Sequence, residues 1–206
     1  MEQLCFGYGR SLLLRGVDLS LQQGECLILF GSNGSGKSTL LAILATLLRP
    51  RSGLYRLHDL DPQQHGEELR RQLLYLGHYL HLYGHLTALE NLLFFAELRT
   101  LPVTRQQLLS VLDTVGLGHC IDRSTRFFSA GMRKRLALAR VLLFQPALWL
   151  LDEPYSALDQ AGVEWLNRLL QDYLSQGGMV IMATHDPDRV SQLPSRTMQL
   201  QDGLLH

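Results

Sequence analysis

The strongest structural signal in this chain is a glycine-rich octapeptide, Gly31-Ser32-Asn33-Gly34-Ser35-Gly36-Lys37-Ser38. It fits the phosphate-binding pattern G-x-x-x-x-G-K-[ST]. An apolar run over residues 26–30 predicts a buried strand before it, and the run over 39–45 predicts a helix after it. Because the pattern needs a strand, a loop and a helix in that order, both flanks disfavour the alternative of a chance glycine-rich turn.

Each part of this octapeptide is suited to binding phosphate groups. Glycines reach backbone angles that are closed to other residues, so consecutive N–H groups can turn inward around an anion. The first turn of the next helix, which includes Thr39, adds free N–H groups and the positive end of the helix dipole. Lys37 supplies a charge for the β- and γ-phosphates, and the Ser38 hydroxyl can ligate Mg²⁺. The octapeptide and Thr39 are therefore predicted to bind a nucleotide with Mg²⁺.

The composition indicates a soluble globular protein and disfavours several other classes. The chain has 206 residues, of which 46% are hydrophobic, and a formal net charge of zero. A nucleic-acid-binding protein usually shows a basic excess, so no nucleic-acid partner is predicted. No apolar run approaches the roughly 20 residues that span a bilayer, and no secretory signal is apparent near Glu2. Three cysteines that lie far apart, Cys5, Cys26 and Cys120, predict reduced thiols in a cytosolic setting.

A helical segment interrupts the α/β core in the sequence. Residues 86–145 carry helical patterns, with predicted capping boxes at Thr87 and Thr104, and contain no clear strand. Continuous apolar runs over 148–151 and 179–183 then predict buried parallel strands. One domain of 206 residues is predicted, with a core and β-subdomain over 1–85 and 146–206 and a helical subdomain over 86–145.

Shorter patterns predict the remaining elements. Residues 17–21 alternate strictly between apolar and polar side chains, which is typical of a strand. A short strand is predicted over 54–57, and residues 59–66 are predicted to form a polar loop. Residues 198–203 are predicted to form a peripheral hairpin near the end of the chain.

Two adjacent carboxylates, Asp152 and Glu153, follow directly on the predicted strand 148–151. Ligands bind at the carboxyl ends of the strands in an open parallel sheet, so these side chains are predicted to face the nucleotide. Asp152 is suited to hold Mg²⁺ through water, and Glu153 to orient or deprotonate an attacking water. The alternative is a solvated acidic turn before Pro154, which the phosphate loop in the same chain disfavours.

A second anion site is predicted where Ser129-Ala130-Gly131-Met132 opens a helix. The Ser129 hydroxyl, the backbone N–H groups and the helix dipole aim at one point there. The alternative for this turn is an ordinary helix N-cap.

Together these motifs resemble the ATPase subunit of an ABC transporter. The ordered set comprises the phosphate loop, Ser-Ala-Gly-Met at 129–132, Leu-Leu-Asp-Glu-Pro at 150–154, Ser-Ala-Leu-Asp at 156–159 and Thr184-His185, and it covers essentially the whole chain. The resemblance implies the fold class: an α/β P-loop NTPase with a parallel-sheet core, an N-terminal antiparallel β-subdomain and an inserted α-helical subdomain. It also implies that ATP stacks on an upstream aromatic residue, which is Tyr8 by its spacing, with Phe6 as the alternative.

Within one subunit, the resemblance implies that Lys37, Glu153 and His185 are catalytic. Lys37 holds the phosphates, Glu153 polarises the attacking water, and His185 contacts the γ-phosphate and this water. The position of His185, just after the predicted strand 179–183, supports a catalytic role over a structural one. The implied ligands of Mg²⁺ are Ser38 and Asp152.

Between subunits, the resemblance implies that Ser129 and Gly131 close on the ATP held by a second ATPase subunit, with Asp159 at the seam. A head-to-tail dimer of identical or different ATPase subunits would then be needed for efficient hydrolysis. Because the chain has no predicted membrane span, separate integral membrane permease subunits are implied as partners. The implied location is peripheral, at the cytoplasmic face of the inner membrane.

Two departures from the family pattern concern the site. His78 stands where the family usually has a glutamine that links Mg²⁺ and water to the membrane partner, and an imidazole there would respond to pH. His78 is therefore kept as a candidate contact of the metal. The signature turn lacks the usual Gly-Gln, but Ser129 and Gly131 are retained. No carboxylate or cysteine completes a set with His78, His81 and His85, so they are predicted to be loop and surface residues rather than haem or metal ligands.

The same departures are similar to the haem-exporting ATPase of cytochrome c maturation, which implies haem export as the function. The alternative is an ATPase of an ABC-2-type exporter for a lipid, polysaccharide or drug. Soluble DNA-repair ATPases share the signature but carry long coiled-coil arms, and only about ninety residues without heptads separate Lys37 from Ser129. A kinase for a small metabolite would not need the turn at Ser129. The cargo, its direction and the identity of the membrane partner stay open.

Overall fold

The computed structural model describes residues 1–185, 190 and 193–206, and the strands within them form two sheets. In chain order the strands are β1 (Glu2–Phe6), β2 (Leu14–Val17), β3 (Cys26–Phe30), β4 (Ser52–Leu54), β5 (Leu73–Leu76), β6 (Leu148–Asp152), β7 (Met179–Ala183), β8 (Ser195–Gln201) and β9 (Leu204–Leu205). The smaller sheet is antiparallel, in the order β2-β1-β4. The larger sheet has the order β5-β6-β7-β3-β8-β9 and is parallel except for the pair β8 and β9.

The central strands of the larger sheet are apolar except for Asp152 at the end of β6, as expected for parallel strands that are covered on both faces. Every residue of β6 and β7 is buried, as are the first four residues of β3. The helices that accompany the sheets are α1 (Lys37–Leu44), α2 (Gly66–Arg71) and α6 (Gln160–Ser175). On α6, the ring of Tyr173 stacks on Trp149 of β6, with the ring centroids 3.7 Å apart.

The middle of the chain is helical, as predicted. It contains α3 (Ala88–Leu98), α4 (Arg105–Thr114) and α5 (Ala130–Leu143), and residues 86–145 contain no strand. The predicted capping boxes at Thr87 and Thr104 are both present. Apolar side chains from all three helices share one buried cluster, which includes Leu92, Leu108, Leu112 and Leu136.

The chain divides into two compact units, which differ in part from the predicted subdomains. One unit comprises Met1–His78, Pro146–Pro154 and Leu166–His206, and the other comprises Tyr79–Gln145 and Tyr155–Trp165. Residues 79–85 and 155–165 thus belong with the helices rather than with the core. The backbone N–H groups of Thr125 and Arg126 donate to the carbonyls of Leu86 and Gly84, and Arg135 forms an ion pair with Asp159.

Two predicted strands need correction, and one short helix was not predicted. Residues 17–21 alternate in burial as expected, but β2 ends at Val17 because the Gln3 N–H of β1 donates to the Asp18 carboxylate instead of to a backbone carbonyl. The strand expected over 54–57 is β4, which ends at Leu54, and a tight turn at Leu57–Leu60 follows it. The loop expected over 59–66 leads into the short helix α2, whose one buried residue leaves no apolar period to detect.

The hairpin expected over 198–203 is present as β8 and β9, but it is not peripheral. β8 pairs with the central strand β3 over five residues, from Cys26 with Ser195 to Phe30 with Gln199. The hairpin therefore forms part of the larger sheet.

Candidate functional site

The carboxyl ends of three neighbouring parallel strands bring the predicted nucleotide site together. β7 lies between β6 and β3, and its residue Ala183 is in register with Asp152 on one side and with Leu29 on the other. Segments that follow these strands meet at one edge of the sheet, where ligands bind in open α/β sheets. The phosphate loop follows β3, Glu153 follows β6, and His185 comes shortly after β7.

The phosphate loop uses backbone angles that glycine adopts readily. Gly34 and Gly36 have φ values of 81° and 110°, and Gly36 is the N-cap of α1. A Cβ atom on Gly36 would lie 3.2 Å from side-chain carbons of Leu13 and Leu14, whereas one on Gly34 would meet nothing within 4 Å. Backbone angle and packing both require glycine at position 36, while the angle alone favours it at position 34.

Lys37 is held by the loop in which it lies. Its side chain is buried, and its Nζ donates hydrogen bonds to the carbonyl oxygens of Gly31 at 2.8 Å and Ser32 at 3.1 Å. A lysine ammonium has three donors, so one remains for an anion after these two bonds. Ser38 and Thr39 follow in the first turn of α1, where the N–H groups of a helix are free to bind an anion.

A polar cavity of about 530 Å³ opens beside the loop, and residues 32–35 line part of it. The Oγ atom of Ser35 is buried without a hydrogen-bond partner among the residues that the structure describes. Buried hydroxyls nearly always have a partner, and a phosphate oxygen in the loop would supply one. The loop therefore fits a phosphate ligand. A cavity of about 600 Å³ elsewhere in the same unit is lined by none of the predicted site residues.

Glu153 and His185 are in direct contact. The Nδ1 atom of His185 lies 2.9 Å from Oε2 of Glu153, and the Glu153 N–H donates to the carbonyl of Ala183. Glu153 has a φ of 49°, in the left-handed region that residues other than glycine seldom adopt. Strained backbone of this kind is concentrated at functional sites. The side chains of Glu153 and His185 are 25% and 71% exposed, so both can reach a solvent-borne substrate.

Asp152 is buried at the end of β6, and sequence reasoning missed its neighbour Tyr75 on β5. Burial raises the pKa of the Tyr75 hydroxyl, and the negative charge of Asp152 raises this pKa further. A Cβ atom added at Gly77 would lie only 2.6 Å from this hydroxyl oxygen, so the hydroxyl packs against the glycine. Tyr75 is therefore part of the surroundings of Asp152. Its position within an apolar strand gave no sign of this in the sequence.

The two aromatic candidates upstream differ in exposure. Phe6 lies in the core, whereas Tyr8 is 64% exposed, and the two rings are perpendicular with their centroids 5.1 Å apart. Of the two rings, Tyr8 alone presents a face that a base could cover.

The predicted second anion site begins α5, in the helical unit. Ser129 is the N-cap, and its Oγ accepts a hydrogen bond from the Met132 N–H at 3.2 Å. A Cβ atom on Gly131 would lie 2.9 Å from the carbonyl oxygen of Ala157, so the loop after Pro154 packs against this glycine. Within this chain, Ser129 therefore acts as the N-cap of α5. The role of the turn in binding a second subunit's ATP stays a prediction.

His78 is exposed and lies just beyond β5. Across residues 1–185, 190 and 193–206, no group of three or more His, Cys, Asp or Glu side chains is arranged to hold a metal ion. Cys5, Cys26 and Cys120 are free thiols, as predicted. None of the described helices has the length and apolar character that crossing a membrane requires.

Comparison with known sequences identifies the family. The pattern of the ABC transporter family matches residues 14–156. A protein of Dechloromonas aromatica (strain RCB), named cytochrome c biogenesis ATP-binding export protein CcmA, is 38% identical over 93% of this chain and 94% of its own length. A protein of the same name from Pseudomonas aeruginosa is 40% identical over 86% of this chain and 87% of its own length.

Solved structures agree with this. The ATP-binding subunit of an ABC transporter superposes with a TM-score of 0.90 at 25% identity, covering 99% of this chain and 86% of that one. A putative ABC transporter ATP-binding protein from Pyrococcus furiosus has a TM-score of 0.82 at 21% identity, covering 97% of this chain and 95% of that one. This likeness confirms the predicted fold class. The chain belongs to the ABC transporter family, as an ATP-binding and ATP-hydrolysing subunit.

Proposed function

We propose that this chain hydrolyses ATP as one half of a head-to-tail dimer that drives a membrane permease. The contact between Glu153 and His185 at 2.9 Å is the observation that carries the proposal. It joins a carboxylate that can take a proton from water to an imidazole that can stabilise the transferred phosphoryl group. Glu153 follows β6 and His185 comes shortly after β7, the strand that lies between β6 and the phosphate-loop strand β3.

The residues divide the work of hydrolysis among them. Glu153 orients a water molecule and accepts its proton as the water oxygen attacks the γ-phosphorus. The bond from the γ-phosphorus to the bridging oxygen breaks, which leaves ADP and inorganic phosphate. Lys37 and the loop N–H groups stabilise the negative charge on the β- and γ-phosphates, and His185 stabilises charge on the transferred group. Because little covalent chemistry falls to the protein, positioning and electrostatics dominate the rate.

Mg²⁺ fits the donor set of the site. Ser38 offers a hydroxyl and Asp152 a carboxylate, the oxygen ligands that this ion prefers. When bound, Mg²⁺ would neutralise charge on the β- and γ-phosphates. His78, exposed beyond β5, is proposed as a contact of this ion in place of the family's glutamine.

Tyr8 is proposed to stack on the adenine, because its ring is exposed while that of Phe6 is buried in the core. The Ser129 hydroxyl and the N–H groups near Gly131, at the start of a 14-residue helix, are proposed to bind the γ-phosphate of the ATP on the second subunit. Each dimer would then contain two sites, each built from both subunits.

Substitution of Glu153 by glutamine tests this arrangement. Glu153→Gln should bind ATP as the wild type does, lose turnover and accumulate a dimer, because the trapped ATP holds both halves together. The masses of both proteins with ATP and Mg²⁺ can be followed by light scattering, with ADP as the control nucleotide. A variant that stays monomeric, together with wild-type turnover per molecule that is independent of protein concentration, would contradict the shared site.

The cargo is proposed to be haem, exported for cytochrome c biogenesis, by a complex at the cytoplasmic face of the inner membrane. This rests on relatives named for cytochrome c biogenesis and on their 38–40% identity over most of the chain. The chain should restore c-type cytochromes to a bacterium that lacks its own export ATPase of this kind, whereas Glu153→Gln should not. If the strain expresses the chain and grows normally but still makes no c-type cytochromes, the exported substrate is a different one.

A further inference from the structure

The loop that follows Asp152, Glu153 and Pro154, residues 155–159, contacts α5 at two points. A Cβ atom on Gly131 would be 2.9 Å from the carbonyl oxygen of Ala157, so this oxygen sits directly over the glycine. One turn further along α5, Nη2 of Arg135 lies 2.5 Å from Oδ1 of Asp159. Positions 131 and 135 are four apart and share one face of the helix. The same face of α5 therefore holds both ends of the loop segment 157–159.

Arg135 joins three elements of the helical unit. Its Nη1 donates to the carbonyl of Val115, at the carboxyl end of α4, at 3.5 Å. The Asp159 oxygen that it contacts also accepts the N–H of Gly162 at 3.0 Å, at the start of α6. Hydrogen bonding to Arg135 and to Gly162 lowers the pKa of Asp159, which indicates that these bonds favour the ionised carboxylate. The Arg135 side chain is 26% exposed, so its packing restricts its orientation more than that of a surface arginine.

The loop needs such support because its own backbone is strained. Ala157 has a φ of 63°, in the left-handed region that alanine rarely adopts. One internal bond in this segment runs from the Leu158 N–H to the Tyr155 carbonyl, at 3.2 Å. Strained conformations persist when the surrounding structure holds them in place. Gly131 and Arg135 provide that support from α5.

We propose that Arg135 is a positioning residue for ATP hydrolysis, which holds the 155–159 loop on α5 so that this loop and the 129–131 turn meet the second subunit's ATP as one rigid surface. This inference rests on the proposed dimer, in which Ser129 and Gly131 bind that ATP. Misplacement of such a surface by a fraction of an ångström is enough to slow a reaction that depends on positioning. Arg135 itself touches neither the nucleotide nor the attacking water.

Substitutions at both partners test the proposal in the full chain. Arg135→Gln should lower kcat about five- to tenfold, less than the roughly hundredfold that a displacement of 1 Å can cost, while the affinity of the monomer for a fluorescent ATP analogue stays unchanged. Arg135→Lys, which keeps the charge, should retain part of the rate. Asp159→Asn keeps an efficient N-cap for α6 and should lower kcat alone. The double variant should be no slower than the slower single variant, because both remove the same contact.

The control is Arg71→Gln, which breaks an ion pair of 2.7 Å within α2 and should leave kcat unchanged. Rates within twofold of wild type for Arg135→Gln would overturn the proposal, as would multiplying effects in the double variant. Parallel losses of kcat, nucleotide affinity and thermal stability would assign Arg135 a purely structural role and also overturn it. If wild-type turnover is independent of concentration and Glu153→Gln stays monomeric, the proposed dimer has failed. If the dimer forms and Arg135→Gln is fully active, the role of Arg135 alone has failed.

Discussion

Lys37 is a buried cation whose described hydrogen bonds run to the carbonyls of its own loop rather than to a carboxylate. A buried charge needs compensation, and two carbonyl dipoles supply part of it. An anion at the third donor would supply the rest. The side chain therefore fits a phosphate ligand better than a purely structural role.

Replacing Lys37 by alanine should weaken ATP binding about ten- to a hundredfold, since one charge-assisted hydrogen bond is worth about 1.5–3 kcal/mol. The dissociation constant can be measured by fluorescence with an ATP analogue, and circular dichroism checks that the variant is folded. Arg71→Ala removes an exposed cation from α2 and is the matched control. Unchanged affinity in Lys37→Ala would remove the phosphate-binding role of this residue.

Among the helices, α3 organises the segment in front of it through one side chain. Asn91 is 5% exposed, and its Oδ1 accepts the Tyr83 N–H at 2.8 Å. Its Nδ2 donates to the carbonyls of Tyr83 at 3.1 Å and Thr87 at 2.9 Å. The Tyr83 N–H has this amide oxygen as its described partner, whereas the carbonyls of Tyr83 and Thr87 also accept backbone N–H groups, from Leu86 and Asn91. The Thr87 capping box then completes the start of the helix.

Asn91→Leu keeps the approximate size of the side chain but removes the described partner of the Tyr83 N–H. We expect the free energy of unfolding to fall by about 1–3 kcal/mol, the cost of one unsatisfied buried polar group. Urea unfolding followed by circular dichroism measures this change. Glu97→Gln, at an exposed position of the same helix, should change the free energy by less than about 0.5 kcal/mol. A loss as small in Asn91→Leu would show that the segment does not depend on this amide.

Elements with a complete local signal were predicted well, and elements without one were not. The helices α3 and α4 begin at their capping boxes because Thr87 and Thr104 each have a Glu or Gln three residues later. The short helix α2 has one buried residue, so no periodic pattern exists. Residues 17–21 show that alternation encodes burial, while pairing depends on which backbone lies alongside.

At the scale of the whole molecule, the core strands make the fold sensitive to alkaline pH. Burial raises the pKa of the Cys26 thiol in β3 from an ordinary value of 9.0 to about 12. Well below pH 9.0 the thiol keeps its proton in both folded and unfolded chains. Between these two values only the unfolded chain loses the proton, so stability falls as the pH rises. Burial also raises the pKa of Tyr55 and Tyr173, which steepens the loss above about pH 10.

Cys26→Ala should therefore flatten the dependence of stability on pH. Between about pH 9.5 and 11 the wild type should lose up to about 1.4 kcal/mol more per pH unit than the variant, the contribution of one ionising group. Urea unfolding at a series of pH values measures both slopes. Val180→Ala, at the position that pairs with Cys26 in β7, removes buried volume without an ionisable group and should keep the wild-type slope. Equal slopes in all three proteins would show that Cys26 does not titrate on unfolding.

The composite site was only partly predictable from the sequence. The phosphate loop and the pair Asp152-Glu153 are contiguous motifs, so their strand contexts could be predicted. The contact of Glu153 with His185 depends on β7 lying beside β6, and this order is a property of the assembled sheet. The inclusion of residues 155–165 in the helical unit likewise depends on long-range contacts such as that of Arg135 with Asp159.

The hairpin of β8 and β9 also reaches the smaller sheet, because the Arg15 N–H of β2 donates to the Gly203 carbonyl at 2.8 Å. The turn between β8 and β9 is thereby hydrogen-bonded to β2. The residues at the start of β2, Leu13 and Leu14, have side chains that pack against Gly36. Loosening either sheet would loosen the other. A substitution that disturbs the turn at Gly203 would therefore also affect the packing around Gly36, although the two glycines lie far apart in the sequence.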